Sequence, residues 1–168
     1  PGNTSLITTG DVLLTWGPLL RNPTPERGEI VFYRTDALHM TGVIIHAGEW
    51  VDRVLGIPGD FVEVQRGKVF VNGELLERDQ LPLGGAFRTP DMNLKAGENE
   101  YIILPTLLNF EGRGYAFPPH VVEAMTRLSV VSGDAIESRV LWRVRPWNRA
   151  GRIEPLDQPE RLTPGATQ

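Results

Sequence analysis

The chain has 168 residues, 40% of them hydrophobic and 23% charged, with a formal net charge of -4; this is enough to build a core within one domain. A negative balance gives no general attraction to phosphate backbones or anionic lipid, so nucleic-acid binding is not expected. The lack of cysteine removes disulfides, thiolate nucleophiles and sulfur-rich metal sites, and no apolar run approaches the roughly 18 to 20 residues of a helical membrane span.

Eighteen glycines and fourteen prolines fall between short runs rich in Val, Ile, Leu, Phe and Tyr, the pattern of a mainly β fold. In chain order the expected strands are Asp11 to Trp16, Glu29 to Arg34, Thr41 to His46, Trp50 to Ile57, Phe61 to Gln65, Lys68 to Val71, Glu100 to Leu104, Leu128 to Ser132 and Val140 to Val144. Arg66-Gly67 and Asn72-Gly73 are tight-turn dipeptides, so Phe61 to Leu76 reads as two consecutive hairpins. Residues 82–97 show no clear period and read as loop. Pro118 to Leu128 carries Val121, Val122, Met125 and Leu128 at helical spacing, which suggests a short helix near 119–127. The Pro-rich, polar end over 155–168 reads as a flexible tail.

Four segments, in order, resemble the type I signal peptidase family, whose members cleave peptides with a serine and a lysine. Gly10-Asp11-Val12-Leu13-Leu14 resembles a G-D-x-L-L segment, and Pro25-Glu26-Arg27-Gly28-Glu29-Ile30-Val31-Phe32 resembles a P-x-R-G-D-I-V strand. Asp52-Arg53-Val54-Leu55-Gly56-Ile57-Pro58-Gly59-Asp60 resembles K-R-V-x-G-L-P-G-D and runs on into Gly67-Lys68-Val69-Phe70-Val71-Asn72-Gly73, similar to a G-x-V-Y-V-N-G hairpin. Gly133-Asp134-Ala135-Ile136-Glu137-Ser138-Arg139 resembles a shortened G-D-N-R-x-N-S-x-D-S-R. The resemblance implies a signal-peptidase-like β fold of hairpins and a small barrel over 1–154, with an insertion at about 105–128.

Several of these residues have an architectural reading of their own. Pro58, Gly59 and Asp60 make a turn in which the carboxylate can bond the local backbone. Gly133 and Asp134, with Glu137 and Arg139, are expected to form a corner held by a carboxylate and a guanidinium. Arg53 and Gly56 belong to the same framework, and Asp52 beside Arg53 is expected to form an ion pair.

The resemblance places three catalytic roles on residues that do not suit them. A serine hydroxyl is a weak nucleophile until a base within hydrogen-bond reach takes its proton, and a lysine serves only when desolvation keeps it neutral. The family's nucleophile position falls on Gly2, its base position on Asp52 and its orienting-hydroxyl position on Ala135. A carboxylate has a reference pKa of about 3.9 and is a far weaker base than a neutral amine. Of the seventeen basic residues only Lys68 and Lys95 are lysines, one in a hairpin and one in an expected loop. Thr4, Ser5, His46, Ser132 and Ser138 are lesser candidates for a rebuilt site. His39, His46 and His120 form no ligand pattern with carboxylates, so neither a metal nor a cofactor is expected.

The function expected from this combination is a catalytically silent, signal-peptidase-like accessory or assembly subunit in a larger membrane-associated complex on the extracytoplasmic, periplasmic side. An anchoring segment before Pro1 would fit that setting. Its contact with a protein or peptide partner is expected by strand pairing along Thr41, Val43, Ile45 and Trp50. Two alternatives stay open: an active signal peptidase with its nucleophile before Pro1 and a relocated base, and a peptide-binding receptor domain. Phe110, Tyr115 and Phe117 read either as a partner-binding flap or as core.

Overall fold

The computed structural model describes residues 11–16, 24–77, 82, 89–105 and 117–145. Within them the chain is mainly β, as expected. The strands are β1 (Val12–Trp16), β2 (Ile30–Thr35), β3 (Leu38–Met40), β4 (Val43–Ile45), β5 (Gly48–Gly56), β6 (Phe61–Gln65), β7 (Lys68–Val71), β8 (Glu74–Leu75), β9 (Met92–Lys95), β10 (Glu100–Ile103), β11 (Val130–Ser132) and β12 (Ile136–Arg145). One helix, α1 (Pro119–Ser129), precedes β11.

The strands form a six-stranded sheet in the order β1-β12-β2-β5-β10-β11, a four-stranded sheet in the order β8-β7-β6-β9, and the β3–β4 hairpin. Strand β5 is central because its C-terminal half, Asp52 to Gly56, is buried on both faces. Successive strand residues point to opposite sides, so Leu55 joins one apolar cluster and Val54 the other. The first cluster, with Val62, Val64, Val69, Met92 and Leu94, lies under the four-stranded sheet and α1. The second gathers Val31, Tyr33, Val54, Tyr101, Ile103, Val131 and Ile136. Gly56 is small for a local reason: a Cβ there would come within 2.8 Å of Val62 and 3.0 Å of Ile102.

Residues 61–76 form the two expected hairpins, β6–β7 and β7–β8. Arg66 and Asn72 take positive φ at the turns, as right-handed strand twist requires of such connections. Four other expectations are corrected. Thr41 to His46 is not one strand, because Thr41 and Gly42 turn the chain between β3 and β4. Residues 82–97 are not all loop: Met92 and Leu94 point inward while Asn93 and Lys95 face solvent, and this alternation lets β9 pair with β6. Leu128 and Ser129 belong to α1 rather than to a strand, since Val121, Ala124, Met125 and Leu128 bury one helical stripe. The last strand begins at Ile136, four residues earlier than expected, and spans ten residues.

Phe117 packs against the first cluster together with α1, which gives it the core reading. Phe110 and Tyr115 lie outside the described residues, as do most of the insertion before α1 and all of the tail over 155–168.

Candidate functional site

The turn from Ile57 to Asp60 fixes the end of β5. Gly59 takes φ +91, a region that glycine enters without steric cost, and the Asp60 amide donates to the Ile57 carbonyl at 2.9 Å. The Asp60 carboxylate accepts the Ile57 amide at 2.8 Å, the Asn72 side-chain amide at 2.9 Å, and Arg27 Nη2 at 2.8 and 2.7 Å on its two oxygens. Burial by itself would raise the Asp60 carboxyl, but the Ile57 amide, the Asn72 amide and the Arg27 guanidinium together hold it below the usual carboxylate range. The expected backbone-binding aspartate is therefore present, and it also ties the 25–29 segment to the end of β5. Two further bonds reinforce that tie: the Gly28 amide donates to the Val54 carbonyl at 2.8 Å, and Arg53 Nη1 donates to the Gly28 carbonyl at 2.7 Å.

Asp52 and Arg53, the expected adjacent ion pair, each reach a further partner within the fold. Neighbours in a strand leave on opposite faces, and both side chains are buried, with relative exposures of 1% and 7%. Arg53 turns to Gly28, whereas Asp52 Oδ2 accepts a hydrogen bond from the Tyr33 hydroxyl at 3.0 Å. The contact follows from register. Val31 lies opposite Asp52 and Tyr33 opposite Trp50, so Tyr33 and Asp52 are diagonal neighbours on one face, within reach of an aromatic side chain. Burial first, then the negative charge of Asp52 and the bond to it, push the Tyr33 phenol far above its ordinary range. The phenol is thus held as a neutral donor.

Ala135 rests on the same apolar cluster as Tyr33, which brings the third predicted position to the side of the sheet that Asp52 faces. Gly133–Ala135 is one turn of 3-10 helix, capped by Ser132 Oγ accepting from the Asp134 amide at 3.3 Å. The expected corner ion pair is not formed there. Glu137, Ser138 and Arg139 belong to β12, and the strand directs Arg139 to Glu29 at 3.0 Å and Glu137 to Arg34 at 2.7 Å. Asp134 is exposed.

Gly2, Thr4 and Ser5 lie outside the described residues. Of the lesser candidates, His46 is exposed in the link between β4 and β5, and Ser138 is buried in β12. His39 and His120 are exposed on β3 and α1. Among the described residues no group of three or more His, Cys, Asp or Glu side chains is arranged to hold a metal.

On the candidate edge, Thr41 is exposed in the hairpin turn, and Val43 and Ile45 send their side chains into the first cluster. Trp50 is half-buried, and its ring nitrogen donates to Thr35 Oγ1 at 2.7 Å. Strand β2 lines one side of β5 from Gly48 to Arg53. On the other side β10 pairs only at Val54 and Gly56, so among the described residues no strand pairs with that side of Gly48 to Asp52.

A family model described as signal peptidase, peptidase S26, matches residues 7–101. The chain belongs to this signal peptidase family. Among its relatives, the probable signal peptidase I-2 of Synechocystis sp. is 36% identical over 81 residues, which are 48% of this chain and 35% of that protein. Signal peptidase I of Leptolyngbya laminosa is 27% identical over 135 residues, 80% of this chain and 59% of that protein. Signal peptidase IB of Staphylococcus aureus is 33% identical over 90 residues, 48% of this chain and 42% of that protein. The chain thus spans between about a third and three fifths of the signal peptidases it matches. The matched region 7–101 includes the Arg27–Asp60 tie and the Tyr33–Asp52 contact, whereas α1, β11 and β12 lie beyond it.

The Tyr33–Asp52 contact is what sequence reasoning missed. The signal for it was a carboxylate set among Trp50, Val51, Val54 and Leu55 of the strand, since buried charges are found paired or hydrogen-bonded. Naming the partner required the register of β2 against β5.

Proposed function

We propose that this chain is a signal peptidase fold adapted to hold a protein or peptide partner without cutting it. The observation that carries this reading is the Tyr33 hydroxyl on Asp52 at 3.0 Å, with both residues buried. A carboxylate is a poor base for an alcohol, and here one of its oxygens is occupied by a phenol that keeps its proton. Ala135 supplies no hydroxyl at the third position. Contact with the partner is by addition of an extended segment along Gly48 to Val51, on the side of β5 that no described strand lines. Main-chain bonding of that kind needs no catalytic residue. The setting that fits is the outer face of a membrane, with the domain acting as an accessory or assembly subunit.

The competing reading is an active peptidase, favoured by the names of the relatives, all signal peptidases. The full-length protein, incubated with a signal-sequence precursor and separately with labelled extended peptides, distinguishes the two. Peptide binding with an intact precursor supports the proposal. A processed precursor overturns it. Neither binding nor cleavage removes the sheet-edge part of it.

A further inference from the structure

Asn72 is the only one of the seven asparagines that is followed by glycine, and it stands in the β6–β7 side of the Asp60 tie rather than in a free loop. Its side-chain oxygen accepts the Phe61 amide at 2.9 Å, and its side-chain nitrogen donates to Asp60 Oδ1 at 2.9 Å. Its own amide donates to the Phe61 carbonyl at 2.8 Å. The carboxamide is therefore held at both ends across the hairpin, and Arg27 in turn holds Asp60. Asn72 and Gly73 are nonetheless both exposed, and among the described residues nothing lies within 4 Å of where a Gly73 Cβ would be.

We infer that Asn72-Gly73 is a deamidation site kept closed by the Asp60 tie, and that conversion of Asn72 accumulates, irreversibly, in proportion to the time for which the junction between the 25–29 segment and the β6–β7 hairpin is open. The chemistry needs only water. The Gly73 amide nitrogen, deprotonated by hydroxide, attacks the Asn72 Cγ. The bond from Cγ to Nδ2 breaks and ammonia leaves, taking a proton from water. Water then opens the cyclic imide to aspartate or isoaspartate. In the closed state both ends of the carboxamide must be released before Cγ is free to turn toward Gly73, so reaction proceeds through a locally opened state. The product cannot restore the old arrangement. An acid at position 72 has no amide nitrogen to donate, and it sets a second negative charge against Asp60, so each conversion leaves the tie weaker than before.

The test is peptide mapping by mass spectrometry of the full chain incubated at mildly alkaline pH, folded and in urea. Two hydrogen bonds must open, one of them to a charged group, so conversion at Asn72 is expected to be slower in the folded chain by about thirtyfold or more. Arg27→Ala should speed conversion in the folded chain severalfold, while Arg127→Ala, which removes only an exposed helical ion pair with Glu123, should not. Equal rates folded and unfolded, or a folded Arg27→Ala chain that converts at the wild-type rate, would overturn the inference. Asn72→Asp gives an independent check should Arg27→Ala not fold. It should melt below the wild-type chain at alkaline pH, with a gap that narrows as the carboxyls protonate. Equal melting under alkaline conditions would sink the idea that conversion weakens the tie.

Discussion

Replacing Tyr33 by Phe keeps the ring in the second core cluster and removes one oxygen. Tyr33 has no exposed surface and Asp52 has 1%, so water cannot take over the lost bond without repacking. A hydrogen bond to a charged group contributes about 1.5 to 3 kcal/mol, and leaving a buried acceptor short of a donor costs a similar amount. We expect Tyr33→Phe to destabilise the chain by about 2 kcal/mol, equivalent to a fall in melting temperature of about 4 to 8 °C for a domain of this size. Urea denaturation followed by tryptophan fluorescence measures the change, and at about 2 kcal/mol per molar the midpoint should fall by about 1 M. Arg34→Ala is the matching control. It breaks an ion pair whose side chains are 65% and 37% exposed, and should shift stability by less than about 1 kcal/mol. A Tyr33→Phe chain as stable as the wild type would refute the claim that this phenol supports a buried carboxylate.

The Asp60 carboxyl is held below its usual range in the folded chain, so its contribution to stability is present above the unfolded carboxylate pKa, about 3.9, and is lost as pH falls through the lower folded value. Asp60→Asn should flatten this acid limb in urea titrations run between neutral and strongly acidic pH. An unchanged limb would place the acid sensitivity elsewhere. Met125, 2% exposed on the inner stripe of α1, tests whether the helix is part of the core. Met125→Ala should cost about 2 to 5 kcal/mol by thermal melting, whereas a loosely attached helix would lose much less.

The most legible parts of the chain were those where residue type dictates backbone. Gly59 and the Arg66-Gly67 and Asn72-Gly73 pairs mark turns because few side chains accept positive φ, and so residues 57–76 were readable almost whole. Strand β9 was missed because the alternation of Met92 and Leu94 with Asn93 and Lys95 is only four residues long and stands beside prolines and glycines. The corner at 133–139 was misread because the charges were paired by sequence proximity. In β12 they are instead sent across the sheet, Arg139 to Glu29 and Glu137 to Arg34.

At the candidate site, the sequence located Asp52 and Ala135 at two telling positions but not what holds Asp52. Tyr33 lies 19 residues away, and the β3–β4 hairpin between β2 and β5 leaves their register undetermined by loop length. The same intervening hairpin hid the burial of Asp52 and Arg53, and with it the bonds that Asp52 makes to Tyr33 and Arg53 to Gly28. The resemblance carried the family, but it could not say that the Tyr33 phenol lies on Asp52.

The central claim is that the group at position 52 does not take a proton from an attacking alcohol. The direct measurement is processing of a signal-sequence precursor by the full-length protein and by its Asp52→Asn variant, followed across neutral and alkaline pH. We predict no processed product from either chain at any pH. Cleavage by the wild-type protein that is lost in Asp52→Asn, while the variant stays folded, would contradict the account.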